Sequence, residues 1–184
     1  MLRIGLVMLQ GARHVHMAAL QRAAAECGIG IEVHELRKAS DLASADPHAV
    51  VLPGGESTTM RLTGNHESSG LLPALFEWMR NDPSRPVLGT CAGAILLVDP
   101  QDGDDPLVDA DIDRNAYGRQ ADSFQSTLEA TILGRDFPGV FIRAPRFESH
   151  SESATVAAMH GEEVVGVRTG NRLALTFHPE LSSD

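Results

Sequence analysis

The sequence predicts an α/β fold in a single domain, 1–184, with a mostly parallel central sheet and antiparallel strands added in the C-terminal half. Three observations predict it. Apolar strand-like runs alternate with helix-spaced segments through the first half, as in βαβ units whose parallel sheet is covered on both faces. The second half turns to short β-rich runs joined by brief polar connections, which suits antiparallel pairing. A length of 184 residues is that of one ordinary domain, enough to form a core without disulfides or a structural metal.

The elements follow in order. Arg3–Leu9 is a continuous apolar strand. His14–Cys27 has helical spacing in Val15, Ala18, Ala19 and Ala23, and Gly28 closes it as a C-cap. Ile31–Leu36 and Ala49–Leu52 read as further strands. A second helix is expected over Leu71–Arg80, with Leu72, Leu75, Phe76 and Met79 on one face, followed by a strand at Pro86–Leu88. Asp99–Asp113 carries seven aspartates with Pro100, Gly103 and Pro106. Its spacing matches no EF-hand, and it reads as a solvated surface loop. Five strands are then expected, at Thr127–Ile132, Val140–Ile142, Thr155–Met159, Glu163–Arg168 and Arg172–Phe177.

Composition excludes several classes of function. The formal net charge is −10, with 25 acidic residues, 15 basic ones and a single lysine, Lys38. No basic cluster offers a nucleic-acid face, and an Asp-rich, Lys-poor surface suits a salt-adapted cytoplasm. The two cysteines, Cys27 and Cys91, form neither a disulfide framework nor a Cys/His metal spacing. A reduced, cytoplasmic setting follows, with no metal or cofactor expected. The N-terminal apolar run is brief and ends in Gln10-Gly11, so it reads as a buried strand rather than a leader or a membrane span. Cys27 is expected to be buried and inert at its helix end, His14 and His16 to lie on the surface, and Trp78 to serve packing.

Three motifs carry chemistry. In Gly89-Thr90-Cys91-Ala92-Gly93 an apolar strand ends and an apolar helix begins at once, which presents the thiol on a sharp nucleophile elbow. The flanking glycines leave room where the backbone is forced to turn, and the partial positive charge of a helix N-terminus favours a thiolate. His178-Pro179-Glu180 closes the last expected strand. In an extended segment these two side chains point to the same side, so Glu180 can orient His178 beside the cysteine. Pro53-Gly54-Gly55-Glu56-Ser57 follows another strand and lacks the Gly-Lys-Ser/Thr of a phosphate loop. Beside a nucleophile its role is an oxyanion hole, with the N–H groups of Gly55 and Ala92 as donors.

Together Gly-Thr-Cys-Ala-Gly, Pro-Gly-Gly-Glu-Ser-Thr-Thr-Met and the terminal His-Pro-Glu-Leu resemble the class I, triad-type glutamine amidotransferases. Within that family the match is closest to the glutaminase subunits of pyridoxal 5′-phosphate synthases. The strings that select them are Leu9-Gln10-Gly11 with a nearby His, Arg114-Asn115-Ala116-Tyr117-Gly118-Arg119-Gln120 with Asp122-Ser123-Phe124, and Gly139-Val140-Phe141-Ile142-Arg143-Ala144-Pro145. The resemblance covers nearly the whole chain. It implies a three-layer, flavodoxin-like fold, L-glutamine as substrate, and a triad of Cys91, His178 and Glu180. It also implies glutamine binding by Gly55, Glu56, Ser57, Arg114, Ile142 and Arg143, where the arginines suit an α-carboxylate. Arg119 receives no role. The implied partner is a (β/α)₈-barrel synthase subunit that takes up the ammonia, with the stretches around Gln10 and Arg114 as docking surface.

Two departures from the family pattern stand out. Relatives usually continue with a C-terminal helix after the His-Pro-Glu strand end, so apolar surface is expected to be uncovered here, and Arg146 replaces a histidine after Ala144-Pro145. Two rival functions remain at this point. The glutaminase partner of another synthase, such as imidazole glycerol phosphate synthase, would share the triad but not the Arg-Asn string. A catalytically silent binding module on the same fold would have no need of Cys91, His178 and Glu180 together.

Overall fold

A computed structural model describes residues 1–10, 13–114, 116 and 123–184. Its first half is β1 (Leu2–Val7), α1 (Arg13–Glu26), β2 (Ile31–Leu36), α2 (Ala39–Ala45), β3 (Ala49–Leu52), α3 (Ser57–Asn65), α4 (Leu71–Asn81), β4 (Val87–Thr90) and α5 (Ala92–Val98). Its second half is β5 (Ala110–Asp113), β6 (Phe124–Ala130), β7 (Arg135–Phe141), β8 (Arg146–His150), β9 (Thr155–His160), β10 (Glu163–Thr169), β11 (Arg172–Leu175) and a 3₁₀ turn, Pro179–Leu181. Among the described residues, nine strands form one sheet in the order β2-β1-β3-β4-β11-β10-β9-β6-β7. From β2 to β11 the neighbours are parallel, and from β11 to β7 they are antiparallel.

The central parallel strands β1 and β3 are largely buried, which explains their continuous apolar runs. In β3, Val50 and Leu52 face a core shared with α2, α4 and α5, while Val51 faces the opposite side with Ile4 and Leu6. On the first side α4 buries Leu71, Leu72, Leu75, Phe76 and Met79, a helical stripe, and α5 is buried throughout. On the other side α1 contributes Met17 and Leu20. A third cluster, with Leu128, Phe141, Leu175 and Phe177, fills the antiparallel half.

Several expectations need correction. Two helices, α2 and α3, precede the one expected as second. The seven-residue α2 is too short to establish a period, and α3 starts inside the Ser57-Thr58-Thr59 run that looked like loop. The packing face of α1 is not Val15, Ala18, Ala19 and Ala23: Ala18 and Ala23 are exposed, and the larger Met17 and Leu20 make the contact instead. Cys27 is exposed rather than buried, because the last turn of this alanine-rich helix projects from the sheet. Nor is Asp99–Asp113 a wholly solvated loop. Leu107 and Val108 enter the core, and β5 pairs with β8 in a small second sheet. Ile132, expected at a strand end, is exposed in a turn.

The face of the parallel strands away from α5 carries an open groove of about 440 Å³, lined by apolar residues that include Leu20, Val51, Leu88 and Leu173. Trp78 packs against the core, with the Arg85 guanidinium 4.4 Å from its ring centre. Arg146 is ion-paired to Glu163 at 2.8 Å. The strings at Gly11, at Asn115 and from Tyr117 to Asp122, Arg119 included, lie outside the described residues.

Candidate active site

The site gathers where β1, β3, β4 and β11 end. The order β2-β1-β3-β4-β11 reverses direction between β1 and β3, and ligands in open α/β sheets bind beyond the strand ends near such a switch. Cys91 follows β4 immediately and stands at the N-cap of α5 with φ 49° and ψ −109°. Such a conformation costs a non-glycine residue on the order of 1–3 kcal/mol and persists only if the surroundings enforce it. Here the Cys91 N–H donates to Leu175 O at 2.8 Å, and the Cys91 carbonyl accepts from Ala94 at 3.1 Å. A close backbone approach completes the elbow. A Cβ on Gly93 would lie 2.0 Å from Leu52 O, so only glycine lets α5 start against the end of β3.

The thiol itself is buried, at 6% exposure, and its sulfur lies 3.9 Å from Ile142 O. Ile142 is reached because the end of β7 meets the 3₁₀ turn that follows β11, where His178 N–H donates to Val140 O at 2.8 Å. His178 Nδ1 lies 2.7 Å from Glu180 Oε1. An ionised carboxylate only accepts, so Nδ1–H is the donor and Nε2 is left for the sulfur. The pair meets through the 3₁₀ turn at Pro179–Leu181, not through the extended backbone expected from the sequence.

Charge in this group is shared among buried side chains. Burial alone would lower the pKa of His178. The hydrogen bonds and charges of Cys91 and Glu180 outweigh that effect and raise it to about 9, so the imidazole is protonated at neutral pH. Burial likewise pushes Glu180 up, but the His178 hydrogen bond and the neighbouring imidazole charges hold it below the usual carboxylate value. Glu180 Oε2 and Thr90 Oγ1 are buried without a hydrogen-bond partner among the described residues. Both residues line a cavity of about 220 Å³ behind the triad.

Gly54 lies against both His178 and Cys91. A Cβ there would come within 2.6 Å of His178 Cε1 and 3.2 Å of Cys91 Cβ. Gly55 follows at φ 155°, with Gln10 Oε1 2.7 Å from the place its Cβ would take. Gln10 also accepts the Glu56 N–H at 2.6 Å. The N–H of Ala92, at the first position of α5, has no carbonyl to receive it within the helix.

Glu56 caps α3. Its carboxylate accepts from Thr58 N–H at 3.0 Å and from Thr59 N–H and Oγ1 at 2.8 Å, and these bonds lower its pKa to about 2. With its oxygens so occupied, any contact to a substrate would come from its backbone. Ser57 is buried on the first turn of α3, and exposed Arg114 donates to Thr58 Oγ1 at 2.8 Å, which brings it to the same helix start. Arg143 is exposed at φ 46°, next to Ile142.

One residue was missed altogether. His16, expected on the surface, is 5% exposed, and its Nε2 lies 3.3 Å from Glu180 Oε1. The signals in the sequence were its place near the start of a helix and a histidine close to Leu9-Gln10-Gly11, and neither distinguished it from His14. Among the described residues no cluster of three or more His, Cys, Asp or Glu side chains could hold a metal ion.

A family model matches residues 6–184, a span that contains the elbow, the imidazole–carboxylate pair and the glycine turn. The chain belongs to the SNO glutamine amidotransferase family. Curated members are close along its whole length. The pyridoxal 5′-phosphate synthase subunit PdxT of Thermococcus onnurineus is 42% identical, covering 100% of this chain and 94% of its own. PdxT of Methanothermobacter thermautotrophicus is 39% identical, at 100% and 92% coverage. A crystal structure described as a glutamine amidotransferase superposes with a TM-score of 0.80 at 38% identity, over 98% of this chain and 92% of that one. PurLQS from Thermotoga maritima, at 17% identity and a TM-score of 0.68, shares the fold over 100% of this chain and 90% of its own. The SNO family membership agrees with the resemblance drawn from the motifs and with the α/β architecture.

Proposed function

We propose that this glutamine amidotransferase is the glutaminase subunit of a pyridoxal 5′-phosphate synthase, with Cys91, His178 and Glu180 as its triad. One observation carries the chemistry: a buried cysteine held at φ 49° on a strand-to-helix elbow, in contact with a protonated histidine that a carboxylate grips at 2.7 Å. The biosynthetic assignment rests on the full-length likeness to PdxT proteins.

In this reading the Cys91 sulfur attacks the side-chain amide carbon of L-glutamine. The oxyanion that forms is met by the N–H groups of Gly55 and Ala92. His178, charged at neutral pH and oriented by Glu180, gives its proton to the departing nitrogen as the C–N bond breaks, releasing ammonia and leaving a thioester. The now neutral imidazole takes a proton from water, which attacks the thioester. Glutamate leaves, and the Cys91 sulfur and protonated His178 are restored as they began.

Glutamine is held by the backbone of Gly55 and Glu56, by Ser57, and by Ile142 and Arg143 beside the sulfur, with Arg114 at the start of α3 suited to the α-carboxylate. The functional unit is the single domain 1–184. Among the described residues no helix is long and apolar enough to cross a membrane, and a cytoplasmic location fits the reduced thiols. Ammonia passes to a synthase subunit, by the family resemblance a (β/α)₈ barrel. The test is ammonia release from glutamine by this chain with and without a PdxS-type synthase subunit. Activity that rises with the synthase supports the reading. A chain that hydrolyses no glutamine in either case would overturn it.

A further inference from the structure

The carboxylate that orients the catalytic histidine has a second partner. His16 lies on the first turns of α1, and among the described residues it is the only one of that helix that is fully buried. Its Nε2 sits 3.3 Å from Glu180 Oε1, the same oxygen that His178 Nδ1 approaches at 2.7 Å. The side chains of His16 and Glu180 are each 6% exposed, and the other carboxylate oxygen has no partner among the described residues. Both imidazoles therefore converge on one oxygen.

The chemistry of the contact decides its protonation. Burial lowers the pKa of His16, opposed by the charge of Glu180 and reinforced by that of His178, so His16 is neutral at pH 7. An ionised carboxylate accepts but does not donate, so a hydrogen bond across this 3.3 Å contact requires the neutral ring to carry its proton on Nε2. A neutral donor here has an advantage over a cation. It adds a hydrogen bond to Glu180 without a second positive charge that would repel the His178 imidazolium. It also fixes the carboxylate rotamer, which a single hydrogen bond beside an open 220 Å³ cavity leaves less constrained.

We propose that His16 is a positioning residue of the catalytic apparatus: it donates Nε2–H to Glu180 Oε1 and holds that oxygen in place for His178. The role rests on the triad assignment of Cys91, His178 and Glu180. It acts through Glu180 and touches no substrate.

The test compares His16→Leu, which keeps bulk and removes the donor, with His16→Gln, which keeps an N–H donor. Glutamine hydrolysis is measured in the presence of the synthase subunit. The expected result is a loss of about tenfold in kcat for His16→Leu, part of the ~10²–10⁴ that acid–base catalysis is worth. KM should stay within about threefold, because the substrate is not touched, and His16→Gln should recover most of the loss. Wild-type kcat in His16→Leu, or equal impairment of both variants, overturns the proposal.

A second measurement needs no variant. Nitrogen chemical shifts of His16 in the intact protein at pH 7 should report a neutral ring protonated on Nε2. An Nδ1–H tautomer or a charged ring overturns the proposal even if His16→Leu fails to fold. Cys91→Ala, assayed alongside, separates the two levels: full activity there would sink the triad itself, whatever His16 does.

Discussion

The two arms of the active site are built by opposite means. The elbow that carries Cys91 is set by steric exclusion: a positive φ, a helix pressed against a strand end, and a glycine whose Cβ would overlap Leu52 O at 2.0 Å. The arm that carries His178 is set by polar pairing: a 2.7 Å bond to a buried carboxylate, a second histidine behind it, and a pKa raised to about 9. The elbow should therefore fail when atoms are added, and it should fail as a fold. The acid–base arm should fail when polar atoms are removed, and it should fail as a catalyst while the fold survives. Gly54 is where the two arms meet, since both His178 and Cys91 lie against it.

Substitutions can break this contrast, taken from the largest expected effect down. Cys91→Ala should remove glutamine hydrolysis altogether and keep the melting temperature at or above the wild-type value, because it deletes the nucleophile at a strained position. Residual turnover above that of a buffer blank would mean that another group attacks the amide.

Gly93→Ala should cost about 3 kcal/mol of stability or more, as its methyl group meets main chain that cannot move aside. Chemical denaturation measures this, and a shift below about 1 kcal/mol would contradict the steric account of the elbow.

Glu180→Gln should lower kcat by about 10³ with the fold retained, since a neutral amide does not stabilise the imidazolium and its NH₂ can fix the wrong tautomer. It should also change the pH dependence of stability. His178 has a folded pKa of about 9 against an ordinary 6.5, so its contribution is fully present below pH 6.5 and is lost as pH rises through about 9. Unfolding curves across that window should fall less steeply in the variant than in the wild type. Parallel curves would show that the carboxylate does not hold the charge.

Gly54→Ala falls between the two classes. Its methyl group would displace the His178 ring, which can shift, so activity should drop by about a hundredfold with only a small stability change. Glu56→Ala is the mildest. Loss of the α3 cap should cost about 1 kcal/mol, read from the denaturation midpoint, because the threonine N–H groups it satisfies can turn to water.

What was legible in the sequence followed the range over which each determinant acts. The strand–elbow–helix at Cys91 and the turn after β3 were readable because a few adjacent residues dictate them. The stripe of α4 was readable because four large apolar residues, Leu72, Leu75, Phe76 and Met79, repeat at helical spacing. The short α2 and the Glu56-capped α3 gave no such period, and β5 was hidden among aspartates because its pairing with β8 is long-range. His178 and Glu180 were correctly paired for an incorrect local reason, since a 3₁₀ turn joins them rather than extended backbone.

The sequence by itself determined the fold class and singled out Cys91, His178 and Glu180 as candidates, because periodicity, glycines and short motifs act within a few residues. Only the tertiary structure decided which face of α1 packs, that Cys27 is exposed, and that His16 shares the carboxylate of Glu180. Those outcomes depend on how a weakly patterned helix settles against the sheet and the 3₁₀ turn. The contacts that settle it come from residues far apart along the chain.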